Sequence, residues 1–189
     1  MFDMHSESHK KLWLRYVEGD YSVYKKIFES YYSGLFGYGM KLCNDSTIVE
    51  DSIQDVFIYI WEKREDLMHI NSPNVYLFVS LRRKIIKRRN KYRNKKKIKD
   101  GDFFIEFGVE EIMINKEIRD EQKEELHKAL NLLSNQQKEV LFLHYYNGMS
   151  YGEIEEILSI NRQSVRNHMY RAISTLRSAL NKNTLRLVV

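Results

Sequence analysis

Three features of the sequence predict an all-α fold of two small helical domains joined by a linker. Only one proline and eight glycines occur among 189 residues, so residues that interrupt helices are scarce. Apolar residues recur three and four positions apart along most of the chain, whereas the alternation typical of strands is rare. The helical pattern fades after residue 93 and resumes near residue 121. We therefore expect domains at residues 1–93 and 121–189, with a linker at residues 94–120.

The composition restricts where the protein acts. Cys43 is the one cysteine, so an internal disulfide is excluded and a reducing compartment is favoured. The N-terminal segment "MFDMHSESHKK" lacks the apolar stretch of a signal peptide, and no apolar run is long enough to cross a bilayer. We expect a cytoplasmic protein without direct membrane insertion.

The first two predicted helices are "SHKKLWLRYVEGD" and "YSVYKKIFESYYSGLFGYGMKLC". The first ends at Gly19, and Asp20 is placed to cap the next helix. The second carries glycines at positions 34, 37 and 39, each of which costs about 1 kcal/mol relative to alanine inside a helix. We expect that these glycines allow a neighbouring helix to approach closely.

The third predicted helix, within "NDSTIVEDSIQDVFIYIWEKRED", is strongly amphipathic. Its apolar face repeats at helical spacing and consists of Ile53, Val56, Phe57, Ile60 and Trp61. The opposite face carries Asp51, Gln54, Asp55 and Glu62. We expect Ser46 or Thr47 to cap its start. The loop "LMHINSP" comes next, and a fourth helix is predicted to begin at Pro73.

Eleven basic residues and no acidic one lie between Arg82 and Lys97, in "RRKIIKRRNKYRNKKK". Runs of this kind are often solvated helix surfaces. Here, however, a second basic block lies beyond residue 126, and an acidic block separates the two. A polyanion held at two places accounts for that distribution. We interpret the run as a nucleic-acid-binding surface whose affinity depends steeply on salt.

The segment from Ser150 to Leu180 has the pattern of a DNA-binding helix-turn-helix. Ser150 and Glu153 form a capping box, and "SIN" at 159–161 is the predicted turn, in which Ser159 must either adopt a strained conformation or reshape the turn. The second helix begins with polar side chains suited to base edges: Asn161, Arg162, Gln163, Ser164, Arg166 and Asn167. Tyr170 and Arg171 lie one turn later, where they suit phosphates.

Two other classes of protein explain less of the sequence. An enzyme acting on nucleic acid finds little support, because "GLFGYGM" lacks the lysine of a phosphate-binding loop and comes after no strand. His5 and His9 have metal-like spacing but no third ligand nearby, so no metal, cofactor or small-molecule substrate is expected. A helix-turn-helix regulator that acts without polymerase explains the C-terminal half of the chain. It assigns no function to the first ninety residues.

Four stretches together resemble the extracytoplasmic-function (ECF) sigma factors, small members of the sigma-70 family. Within that group they are most similar to the ferric-citrate type and its Bacteroidetes relatives. The stretches are "VEDSIQDVFIYIWEKRED", "NVYLFVSLRRKIIKRR", "LNLLSNQQKEVLFLHYYNGMSYGEIEEIL" and "SINRQSVRNHMYRAISTLRSAL". They resemble region 2.2, regions 2.3 and 2.4, and the two halves of region 4, in the family's order.

The resemblance implies an RNA polymerase sigma factor rather than an enzyme. Its N-terminal domain would bind core polymerase and melt the minus-ten element, and its C-terminal domain would read the minus-thirty-five element. The implied partners are the β′ clamp helices and the β flap of core polymerase, promoter DNA and an anti-sigma factor.

The resemblance also assigns individual residues to these partners. Those implied for polymerase are Asp51, Gln54 and Asp55. Those implied for the minus-ten element are Asn71, Ser72, Asn74, Arg82, Arg83, Lys84, Lys87 and Arg88. Those for the minus-thirty-five element are Arg166, Asn167, His168, Tyr170 and Arg171, and the helix-turn-helix pattern adds Arg162, Gln163 and Ser164.

Overall fold

A computed structural model of the chain describes residues 7–96 and 120–181. The chain divides into two compact units, Met1–Asp100 and Gly101–Val189. Within the described ranges every regular element is a helix, which confirms the predicted all-α fold. None of these helices is long and apolar enough to cross a membrane. The expected linker at 94–120 lies almost wholly outside the described residues, as does the side-chain pair His5 and His9.

The described part of the first unit, residues 7–96, contains four α-helices and two short 3₁₀ turns. They are α1 (Glu7–Val17), a turn at Tyr21–Val23, α2 (Tyr24–Cys43), α3 (Ser46–Glu62), a turn at Arg64–Leu67 and α4 (Pro73–Lys96). Helices α2, α3 and α4 pack against one another, and α1 packs against α2. The apolar faces predicted from periodicity meet in this core, where Ile53, Phe57 and Leu81 are fully buried.

In the first unit, two of the predicted helix starts and caps are confirmed and one is wrong. Asp20 caps the first 3₁₀ turn by accepting a hydrogen bond from the Ser22 N–H at 3.0 Å. Pro73 begins α4 as predicted. The expectation of a Ser46 or Thr47 cap on α3 is wrong, because Asp45 has the extended backbone of an N-cap and accepts from the Ile48 N–H at 3.1 Å. Ser46 is already helical.

The second unit contains α5 (Asp120–Asn131), α6 (Asn135–Leu141), α7 (Tyr151–Leu158) and α8 (Arg162–Ala179). A π-helical turn, Phe142–Tyr146, extends α6. Helix α8 packs against α5, α6 and α7. Beyond its end, Asn181 donates from its backbone N and its Nδ2 to the Glu125 carboxylate, both at 2.7 Å. This contact ties the end of the described chain to α5.

Candidate nucleic-acid interface

Helix α8 presents one buried face and one exposed face. Its N-cap is Asn161, whose Oδ1 accepts from the Ser164 N–H at 2.8 Å. The buried face consists of Val165, Met169, Ala172 and Leu176. In the first half of the helix the exposed side chains are Arg162, Gln163, Arg166, Asn167, Tyr170 and Arg171. Ser164 and His168 lie half-buried at the edge of this surface. The residues predicted to contact a minus-thirty-five element therefore share one accessible surface.

The turn before α8 takes the strained form, one of the two that the sequence allows. Ser159 has φ 54° and ψ 43°, in the left-handed region that favours glycine. Its N–H closes α7 by donating to the Glu156 carbonyl at 3.3 Å. At the other end of α7, Ser150 and Glu153 form the predicted reciprocal capping box. Helices α7 and α8 thus form a helix-turn-helix whose turn lacks glycine.

One hydrogen bond orders two polar side chains on the exposed face of α8. Gln163 Nε2 donates to Asn167 Oδ1 at 3.0 Å, which holds the two amides side by side. An amide oriented in this way can donate and accept at the edge of adenine. Partial burial, assisted by the nearby Arg171 charge, lowers the pKa of His168 below its ordinary value. His168 is therefore neutral at pH 7 in the free chain.

In the first unit, the acidic face of α3 contacts the basic face of α4. Arg88 donates from Nη2 to Asp55 Oδ2 at 2.7 Å and from Nη1 to Asp51 Oδ2 at 3.2 Å. Lys84 Nζ lies 3.3 Å from the same Asp55 oxygen. Burial opposes ionisation of Asp55, but the bonds from Lys84 and Arg88 outweigh it and lower its pKa. The sequence assigned these acids and bases to different partners and did not predict their contact.

The other residues of the basic run have separate environments. Arg83 and Lys87 are exposed, and Arg82 is half-buried. Arg89 Nη1 donates to the Leu42 carbonyl at the C-terminal end of α2. That carbonyl is among those a helix leaves without an intrahelical donor. Arg89 therefore contributes to the fold, while Arg83 and Lys87 remain accessible to a polyanion.

The three residues predicted to read a flipped base lie in the loop before α4 and in the first turn of that helix. Asn71 and Ser72 are exposed, and the Ser72 carbonyl accepts from the Tyr76 N–H at 3.1 Å. Asn74 is only 4% exposed in the first turn of α4. On α3, Gln54 is exposed beside Asp51. Among the residues with described side chains, no cluster of three or more His, Cys, Asp or Glu could hold a metal ion.

Both units match known protein-family models. Residues 27–95 match the model of sigma-70 region 2, and residues 123–176 match that of sigma-70 region 4. Together they account for well over half of the chain. This chain belongs to the sigma-70 family. Its region 2 spans most of α2 and all of α3, and it reaches Lys95 in α4; region 4 contains the helix-turn-helix. Sigma factors act in transcription initiation and are not themselves enzymes.

Individual relatives are similar over most of this sigma factor. An ECF RNA polymerase sigma factor, SigK of Mycobacterium bovis, is 20% identical over 171 residues, covering 88% of this chain and 91% of that protein. SigK of Mycobacterium sp. strain KMS is 21% identical over 167 residues, covering 87% of this chain and 86% of that protein.

Two solved structures share the fold. RpoE of Bartonella quintana, bound to the anti-sigma factor NepR, has a TM-score of 0.58 at 21% identity and covers 82% of this chain and 95% of its own. CnrH, bound to the cytosolic domain of CnrY, has a TM-score of 0.62 at 17% identity, with coverage of 91% and 96%.

Proposed function

We propose that this sigma factor is of the ECF class and directs promoter-specific initiation by engaging DNA at two places. The observation that supports it most strongly is the accessible surface at the start of α8, together with a second basic surface on α4 of the other unit. A polymerase-independent regulator needs only the first of these surfaces. We propose region boundaries at 1–93 and 121–189, with the linker at 94–120 passing through polymerase.

Region 2 binds core polymerase through the outer surface of α3 in this proposal. Asp51, Gln54 and Asp55 lie along it and suit basic groups on the β′ clamp helices. Region 4 binds the β flap.

The minus-ten element is held by α4 and the loop before it. The exposed Asn71 and Ser72 are placed to read an extruded base by its edge, whereas Asn74, the third residue assigned to this element, is buried. The cations of α4 hold the phosphates of the separated strand: Arg82, Arg83, Lys84, Lys87 and Arg88.

Region 4 reads the minus-thirty-five element as a duplex. The start of α8 enters the major groove, where Arg166 pairs with guanine and Asn167 with adenine. Arg162, Gln163 and Ser164 contact neighbouring bases or their phosphates. His168, Tyr170 and Arg171 lie later along the helix, where they suit the DNA backbone.

An anti-sigma factor is a further proposed partner. One structural neighbour, RpoE, is a sigma factor bound to the anti-sigma factor NepR, and another, CnrH, is bound to the cytosolic domain of CnrY. Within the ECF class we place the chain in the ferric-citrate-type group with its Bacteroidetes relatives, on the four stretches that carry the resemblance. A phylogenetic tree built from regions 2 and 4 tests that placement.

Overexpression of the chain in its host, with co-purification and mapping of transcript start sites, tests the proposed function. We expect core polymerase to co-purify, and new start sites to share two upstream elements. New start sites without co-purifying polymerase would favour the regulator instead.

A further inference from the structure

The two carboxylates assigned to polymerase are bound to two of the cations assigned to DNA in the free chain. Asp55 accepts from both Lys84 and Arg88, and Arg88 also donates to Asp51. Each member of this ionic cluster, defined as Asp51, Asp55, Lys84 and Arg88, comes from the outer edge of its helix. The cluster connects two surfaces that the proposed function treats as separate.

The four side chains remain within reach of other partners. Their exposed fractions are 57% for Asp51, 42% for Asp55, 36% for Lys84 and 30% for Arg88. Ion pairs this exposed contribute little to folding stability and exchange readily. Helices α3 and α4 also pack through fully buried apolar residues such as Ile53 and Ile85. The cluster is therefore removable without loss of the fold.

A carboxylate and a phosphate compete for the same donors. Both accept charge-assisted hydrogen bonds from guanidinium and ammonium groups, and a guanidinium can bind two anionic oxygens at once. Arg88 already uses Nη1 and Nη2 on two carboxylates. A DNA phosphate that approaches the same two nitrogen atoms of Arg88 competes with these carboxylates for its N–H donors.

We infer that Asp51 and Asp55 are intramolecular counter-ions that compete with DNA phosphates for Lys84 and Arg88. The proposed function also assigns these carboxylates to polymerase binding. The inference rests on that function because it identifies polymerase and DNA as the two partners. A polymerase group that binds the carboxylates frees two cations for DNA. By linkage, DNA bound to those cations frees the carboxylates for polymerase to the same extent.

The test measures binding of the free chain to fluorescein-labelled single-stranded DNA over a range of salt concentrations. The Asp51→Asn/Asp55→Asn variant is compared with Glu65→Gln/Asp66→Asn. The second pair makes the same change of charge at exposed residues of the neighbouring 3₁₀ turn. We expect the first variant to bind about three- to tenfold more tightly than the parent. The salt dependence should steepen by up to about 1.4 in slope, because about 0.7 is expected per additional single-strand phosphate.

A second set of variants separates competition from a general charge effect. Lys84→Gln/Arg88→Gln should weaken DNA binding more in the Asp51→Asn/Asp55→Asn background than in the parent. Equal gains from both pairs of acidic substitutions, or equal losses in both backgrounds, would overturn the inference. Unfolding followed by tryptophan fluorescence confirms that each variant is folded. Polymerase is absent from this binding assay. A negative binding result therefore overturns the competition but not the proposed role in promoter-specific transcription. A negative transcription result, in turn, does not change what the binding data mean.

Discussion

Gly39 on α2 lies against Val49 on α3 so closely that a Cβ atom at Gly39 would be 2.6 Å from Val49 Cγ1. The same atom would be 3.2 Å from Ile85 Cδ1 of α4. The glycine therefore stands where all three helices of the region 2 core converge. This contact accounts for Gly39 among the three glycines that the sequence places in α2.

Substitution of Gly39 by alanine should destabilise region 2. The added methyl overpacks a buried contact, which typically costs about 1–3 kcal/mol. The gain in helix propensity offsets up to about 1 kcal/mol of that cost. We expect a net loss of about 1–2 kcal/mol in urea unfolding followed by tryptophan fluorescence. Trp13 and Trp61 are the two tryptophans of the chain and both lie in the first unit, so the signal reports region 2.

Gly152→Ala is the matched control for that substitution. A Cβ there has Ser150 Oγ as its nearest neighbour, at 4.0 Å. We expect no loss of stability in region 4 and no change in the tryptophan signal. A stable Gly39→Ala variant would show that α2 and α3 are farther apart than described.

Ser159→Gly should stabilise region 4. A non-glycine residue in the left-handed region carries a cost of about 1–2 kcal/mol, which glycine avoids, although glycine loses more freedom on folding. We expect a net gain of about 0.5–1 kcal/mol, measured by far-UV circular dichroism during thermal unfolding. Ser159→Val should have the opposite effect, because a β-branched side chain tolerates this conformation poorly. Destabilisation by glycine would contradict the turn geometry.

Arg166→Ala/Asn167→Ala should weaken binding to the minus-thirty-five element and leave polymerase binding unchanged. Each good bidentate base contact contributes about 1–3 kcal/mol of discrimination, so we expect a loss of tenfold or more in affinity for the specific duplex. Arg177→Ala is the control, since it removes an exposed charge from the last turn of the same helix. Equal loss of polymerase and DNA binding would contradict the assignment of α8 to DNA.

DNA binding by region 4 should strengthen as pH falls. His168 is neutral at pH 7 because burial and Arg171 lower its pKa. A nearby phosphate favours the protonated form and raises that pKa, so binding takes up a proton. We expect affinity for the specific duplex to rise between about pH 7.5 and pH 5.5, and the rise to be smaller in His168→Gln. Identical pH profiles would place His168 away from the DNA backbone.

Local features of the fold could be predicted because they depend on neighbours in the sequence. The periodicity of Ile53, Phe57 and Ile60 determines the buried face of α3. The capping box of Ser150 and Glu153 involves residues three apart. The predicted cap on α3 lies at least one residue too late, because Asp45 and Ser46 both have side chains suited to capping.

Contacts between distant residues could not be predicted in this way. Arg88 and Asp51 are 37 residues apart, and Asn181 and Glu125 are 56 apart, so their pairing depends on how helices align in three dimensions. The spacing of the four residues in the sequence was one indication of the ionic cluster. Asp51 and Asp55, like Lys84 and Arg88, are four residues apart, which places each pair on one side of its helix. The burial of Asn74 depends on tertiary packing alone.

Run-off transcription with purified core polymerase tests the central claim most directly. The template carries a promoter identified by start-site mapping, and the control template has its minus-thirty-five element scrambled. We predict a discrete transcript from the intact promoter when the chain is added, none without the chain, and a marked loss from the scrambled template. A chain that binds this promoter but never yields a discrete transcript with core polymerase would contradict the account.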